Sequence, residues 1–266
     1  MRGLYLISFL VFYLFWVTST QADSFVAKRI VTLAPNIAQL VIDAGAGNRL
    51  VGVTAWTNLP ATIHALPIGD SEHINLEQIL SLKPDLILAW QGGTPPYVIH
   101  QLHKLGLNVV TLDTATLEDI GPALIKIGQL AHTLAQAQQV ASNFNNELHQ
   151  LHHQGKLQAP LSVFIDIWDS PLMTINGTNF MSEAASICNA HNIYAHNKLL
   201  TPLVSLESLI TLNPDVIITF SDQSRSIWIK RHFPRAARKK QIIILNASKF
   251  TQATPAILGQ IKLFCH

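Results

Sequence analysis

The sequence predicts an α/β protein of two Rossmann-like lobes with parallel sheets, joined by a single long rigid helix. Three observations predict it. A stretch at 75–90 (NLEQILSLKPDLILAW) recurs at 205–220 (SLESLITLNPDVIITF), one copy in each half of the 266-residue chain. Short apolar strands alternate with helical segments in both halves, the pattern of α/β units with parallel sheets. Between the halves, residues 131–154 contain neither Gly nor Pro.

Within the repeat, Leu76, Glu77, Leu82, Pro84, Asp85 and Ile87 match Leu206, Glu207, Leu212, Pro214, Asp215 and Ile217. Each copy reads as a short helix, a Pro-Asp turn and a buried strand, at 86–89 and 216–219. Asn75 and Ser205 are helix caps. Pro84 and Pro214 end the helices, because proline lacks a donor and restricts the residue before it. Two lobes of like topology follow.

The remaining elements fall into order around these copies. A strand is expected over 29–33, a helix over 36–44 and a strand over 50–53. A helix over 97–105 stops at Gly106, before a strand over 108–112. Residues 116–119 (TLED) read as a capping box opening the connecting segment. Leu134, Ala137, Ala141, Phe144, Leu148 and Leu151 then keep the spacing of one apolar seam. A flexible linker is rich in Gly and Ser, so this connector is stiff. It ends at Gln154, Gly155 and Lys156, and Pro160 precedes the second lobe. There a strand is expected over 162–167, a helix over 179–188, a strand over 242–245 and a closing helix over 255–265.

The N-terminus reads as a secretory signal peptide: Arg2, an apolar run over 4–17 broken by Ser8, and a small-residue cleavage site at Thr20, Gln21 and Ala22. The run is short for a membrane span, which needs about 20 apolar residues. No cysteine follows it, so nothing points to a lipid anchor. The organisation is therefore a signal peptide (1–22), an N-terminal lobe (23–115), a connecting helical segment (116–156) and a C-terminal lobe (157–266), in a periplasmic protein. The two cysteines, Cys188 and Cys265, lie in the exported part, where a disulfide is the default and two buried thiols the lesser reading. A net charge of +2 leaves no electrostatic footprint for nucleic acid. The basic run at 231–240 lacks aromatic platforms.

Two α/β lobes on one rigid helix, with a glutamate in each copy of the repeat, resemble the helical-backbone (class III) periplasmic binding proteins of ABC importers for cobalamin, haem, iron-siderophores and some metals. Residues 88–93 (LAWQGG), 51–56 (VGVTAW) and 192–194 (NIY), with the cysteine pair, are most similar to its cobalamin-binding members. The resemblance implies a Cys188–Cys265 disulfide. It implies partners in the permease subunits with their ATPase, and a cleft that takes cobalamin or another bulky chelate, haem and iron-siderophore being the alternatives. It implies no cofactor. Trp90 stands where the family has a cleft tryptophan and Trp56 where it has a tyrosine. Met173 falls where an aromatic lines the second lobe. Ser71 and Thr201 replace two further tryptophans, and Ser248 and Gln252 replace an aspartate and an arginine.

The candidate ligand residues are Trp56, Trp90, Gln91, Gly92, Gly93, Met173, Ser248, Lys249, Phe250 and Gln252. Trp56 and Trp90 follow strands, where ligands bind in open parallel sheets, and a Gly-Gly loop lets backbone approach a ligand. The bland reading of either tryptophan is core packing. Glu77 and Glu207 open their helices, where macrodipole compensation would explain either one singly, but as a pair they are read as permease-docking residues. In the family such glutamates meet permease arginines, and one per lobe suits a two-subunit channel.

The 12 histidines form no metal pattern. Two imidazoles, such as His100 with His103, do not close a site, and the cluster of His149, His152 and His153 reads as a solvated helix face. His73, near the cleft rim, reads as solvated or satisfied, with ligation of cobalt or haem iron the lesser reading. Enzyme motifs are missing: no nucleophile elbow, phosphate loop or zincin helix. Asp166 and Asp169 flank Trp168 without defining a glycosidase pair. An exported enzyme on this scaffold is the remote alternative.

Overall fold

The computed structural model describes residues 26–70, 73–231, 236 and 241–265. The expected signal peptide, Ser71 and most of the basic run lie outside the described residues. In the first lobe, β1 (Ile30–Thr32), β2 (Leu50–Val53), β3 (Leu66–Pro67), β4 (Leu86–Trp90) and β5 (Val109–Leu112) form a sheet in the order β3-β2-β1-β4-β5. Every pairing in it is parallel. In the second lobe, β6 (Leu161–Ile165) is followed by an antiparallel hairpin of β7 (Trp168–Asp169) and β8 (Leu172–Met173). With β9 (Ala190–Asn192), β10 (Val216–Thr219) and β11 (Ile242–Ile244), β6 makes a parallel sheet in the order β11-β10-β6-β9. The expected strand over 162–167 stops at Ile165 because Ile167 donates its amide to Met173, inside the hairpin.

The repeat folds alike in both lobes. Asn75 and Ser205 accept amide hydrogens from Gln78 and Ser208, capping α2 (Leu76–Ser81) and α7 (Leu206–Leu212). Lys83 and Asn213, each just before the proline, both take φ 46°. The repeated aspartate ties its turn to the first strand of its own lobe. Asp85 accepts from the amides of Lys28 and Arg29 (2.8 and 3.0 Å). Asp215 accepts from the amide and hydroxyl of Ser162 (3.0 and 2.7 Å).

Strand residues alternate between two faces, as the period of two requires. Outer-face residues such as Ile87 and Val31 pack under α2 and α3 (Pro96–Lys104). In the second lobe, Phe164 and Ile217 pack with Trp228 on α8 (Asp222–Lys230). Inner-face residues of both sheets, Leu86, Leu88, Val163, Ile165 and Ile218 among them, belong to one continuous core that includes Phe144 and Leu151 of the connector.

That connector departs from the single helix expected over 116–156. It is two helices, α4 (Ile120–Leu130) and α5 (Leu134–Gly155), with His132 at φ 48° between them. The expected capping box is a turn instead: the Asp119 carboxylate accepts from the amide and hydroxyl of Thr116, and no side chain caps α4. The long helix is α5, with 22 residues and about 33 Å of rise. Near its start it packs so closely on α4 that a Cβ on Gly128 would strike Ala137. At its end a Cβ on Gly155 would occupy the Ile187 carbonyl, on α6 (Phe180–Ile187). Between the connector and the second lobe, Glu183 of α6 accepts the Leu117 amide (2.9 Å), and Glu147 of α5 pairs with Lys262 of α10 (Ile257–Phe264). Cys188 and Cys265, at the ends of α6 and α10, form the disulfide, with Cα atoms 5.0 Å apart.

Candidate functional site

The carboxyl ends of the strands in both lobes border one cleft. Pro35 and Gln39 of α1 (Pro35–Asp43), which follows β1, and Asn58, which follows β2, share a cavity of about 260 Å³ with Ser248, Lys249 and Gln252, which follow β11. The second-lobe segment named from the sequence thus does meet the first lobe. Phe250 is the exception and a correction. It is fully buried in α9 (Ala247–Phe250), against the rings of Phe220 and Phe264 (each 6.1 Å between centroids), so it is a core residue rather than a cleft residue. Spacing along the chain did not reveal this, because its partners are distant in sequence.

Trp56 is 89 % exposed and sits at φ 65°. A bulky residue in the left-handed region is strained, and such strain concentrates at ligand sites. Nothing in the described fold buries its ring. Trp90 ends β4, half-buried against the core, and its indole nitrogen has no hydrogen-bond partner. The Gly92–Gly93 loop serves this ring directly: a Cβ on Gly92 would lie 2.9 Å from the Trp90 ring, and one on Gly93 closer still. The glycines let the backbone fold against the tryptophan, a use different from the expected approach to ligand. Gln91 is exposed, with its amide held by Leu112. Met173 lies half-buried in the hairpin, opposite Trp168.

Trp168 is a residue that the reading of the sequence passed over. It is 62 % exposed, its indole donating to the Ser170 carbonyl (2.9 Å). The signal was present: it follows a strand, as Trp56 does. It lines a cavity of about 340 Å³ with Asp166, Asp169, Phe220, Ser221 and Ser224, at the carboxyl ends of β6 and β10. Asp166 is 3 % exposed. Burial first, opposed by the Trp228 hydrogen bond, and then the neighbouring Asp169 push its carboxyl from 3.8 up to about 7.

The sign of that shift sets a pH dependence. Between about pH 4 and 7 the folded protein holds this proton and the unfolded chain does not, so stability falls as pH rises across that window and levels off above it. Asp166→Asn keeps an acceptor for Trp228 and removes the buried charge. Its melting temperature at pH 8 is expected to exceed the wild type's by about 2–4 °C for each kcal/mol recovered. The gap closes by pH 4. Calorimetric scans at the two pH values check this, and an equal gap at both places the effect elsewhere than in the titration.

α2 and α7 run back along their sheets, so their first turns lie at the same carboxyl edges as the cleft. Glu77 and Glu207 occupy those turns, both exposed. Its own amide and the Ser205 hydroxyl hold the Glu207 carboxyl below the usual range. His73 is exposed, its amide donating to Asp70 and its ring nitrogen 3.5 Å from the same carboxylate. Among the described residues no three His, Cys, Asp or Glu side chains cluster as a metal site, and no helix is long and apolar enough to cross a membrane.

A family profile described as periplasmic binding protein matches residues 30–246. The vitamin B12-binding protein of Yersinia pestis (strain Pestoides F) is 32 % identical over 245 residues, covering 90 % of this chain and 85 % of that protein. The crystal structure of the periplasmic vitamin B12 binding protein BtuF of Vibrio cholerae is similar at a TM-score of 0.84 and 29 % identity, covering 91 % of this chain and 96 % of that one. A periplasmic heme binding protein from Pseudomonas aeruginosa, at a TM-score of 0.79 and 21 % identity over 90 % of this chain and 92 % of that one, shares the fold.

Proposed function

The chain belongs to the periplasmic binding protein family, and from that premise we propose that it captures cobalamin (vitamin B12) between its lobes and delivers it to the permease of an ABC importer. Capture takes place in the periplasm, after removal of a signal peptide. The lobes are the N-terminal stretch to residue 115 and the C-terminal stretch from 157. Binding, docking and release proceed without chemistry on the ligand.

The observation that carries the reading is the exposed aromatic surface at the strand ends. Trp56 is open to solvent at a strained backbone position, Trp90 stands on its glycine floor, and Trp168 faces from the second lobe. A large macrocycle supplies the flat area such rings stack on. Ser248, Lys249 and Gln252 supply polar contacts from the second lobe, with Gln91, Gly92, Gly93 and Met173 at the margins.

The test is titration of the mature protein with cobalamin, haem and a ferric siderophore, read by calorimetry and tryptophan quenching. Saturable cobalamin binding is expected. Trp90→Ala is expected to weaken it by about one to two decades, the loss of one stacked aromatic contact. No heat with cobalamin but saturable heat with haem or the siderophore moves the ligand and leaves only the transport class.

A further inference from the structure

The cavity beside Trp168 holds two carboxyl groups with spare acceptor atoms. Asp166 Oδ2 accepts from the Trp228 indole nitrogen (2.6 Å), and Asp169 Oδ2 accepts from the Ser224 hydroxyl (2.5 Å). The Oδ1 atom of each is buried with no N–H or O–H donor on it, and the two carboxyls contact each other. Buried acceptors are normally satisfied, so such atoms call for an explanation. A nearby cation does not supply one. Arg231 lies over the Trp228 ring (4.6 Å), and its pull on Asp166 is the least of the influences there. Below about pH 7 a proton held on Asp166 lies between the two carboxyls. At higher pH it is gone, and a donor entering from the cleft takes its place.

We infer that Asp166 and Asp169 form a charge filter on the second lobe's wall of the cleft, accepting an uncharged N–H donor such as a primary amide and rejecting a carboxylate. The inference rests on the cobalamin reading and deepens it. A corrin carries primary amides around its rim; haem carries two propionates. One amide –NH2 offers two hydrogens to two acceptors, with the Trp168 ring beside it for the apolar body. A carboxylate there meets acceptors only, and like charges placed together disfavour the wrong ligand. The filter therefore separates two macrocycles of similar size by their fringe.

The test uses cobalamin and the isomeric cobalamin monocarboxylates, each with one rim amide hydrolysed, against wild type, Asp169→Asn and Asp166→Asn/Asp169→Asn. At pH 8 the wild type is expected to bind at least one monocarboxylate about tenfold or more weakly than cobalamin. That penalty shrinks at pH 5.5, where Asp166 is protonated, and falls below about threefold in the double variant. Asp169→Asn lies between and serves if the double variant does not fold. A penalty that is the same in wild type and variants for every isomer, or that does not change with pH in the wild type, overturns the filter and leaves cobalamin as ligand. Failure of the folded wild type to bind cobalamin overturns the ligand assignment and the filter together.

Discussion

Reversing both exposed glutamates, Glu77→Arg with Glu207→Arg, is expected to abolish cobalamin uptake by cells while leaving cobalamin affinity within about twofold. The two side chains occupy the same turn of the same repeated unit, one in each lobe, with matching exposure along both helices. Fully solvated carboxylates contribute little to folding, even beside a helix N-terminus. Their effect on encounter with a basic partner is far larger. Opposite charge speeds and orients association, and like charge placed across an interface excludes it. Uptake of labelled cobalamin, alongside calorimetry on the purified double variant, separates the outcomes. Lost ligand binding by a folded variant places the glutamates in the pocket. Uptake at the wild-type rate reduces them to helix-terminus charges.

Breaking the Cys188–Cys265 bond is expected to produce the largest stability change. The bond closes a 77-residue separation, which in the chain-entropy account is worth about 4–5 kcal/mol. Both cysteines are buried, and they fasten α6 to α10 where the end of α5 also lands. The second lobe thereby loses the clasp on the side away from the cleft. Chemical denaturation of Cys188→Ser/Cys265→Ser against wild type, with and without reductant, measures the effect. Reductant that shifts the wild type's midpoint toward the variant's supports the account; equal midpoints for oxidised wild type and variant overturn it.

What the sequence made legible was whatever repeats or depends on neighbours along the chain. The two copies of the repeat announced the two sheets, and their cap residues and prolines act as expected. Even the left-handed turns at Lys83 and Asn213 fall at equivalent positions. Less legible were features settled by distant contacts. The break between α4 and α5 carries no Gly or Pro; the chain turns there at His132, and Ala137 packs closely on Gly128. Phe250 looked like a neighbour of polar cleft residues until Phe220 and Phe264 enclosed it. Gly92 and Gly93 were legible as a tight loop, but the ring that fills the space belongs to Trp90, two and three residues earlier. Asp166 and Asp169 were visible as a pair of acids. Their importance comes from burial and from the contact between the two carboxyls, which no local pattern records.

The seating of α5 at both ends has a consequence for traffic through the importer. With Gly128 at one end and Gly155 at the other, the helix has no slack with which to swing one lobe over the other. Filled and empty molecules are therefore expected to show nearly the same outline, with the two glutamates keeping their separation in either state. If Glu77 and Glu207 dock on a permease, an empty molecule is then expected to compete with a loaded one for it. Uptake measured against the amount of binding protein is expected to stop rising, and then to fall, once the protein exceeds the supply of ligand.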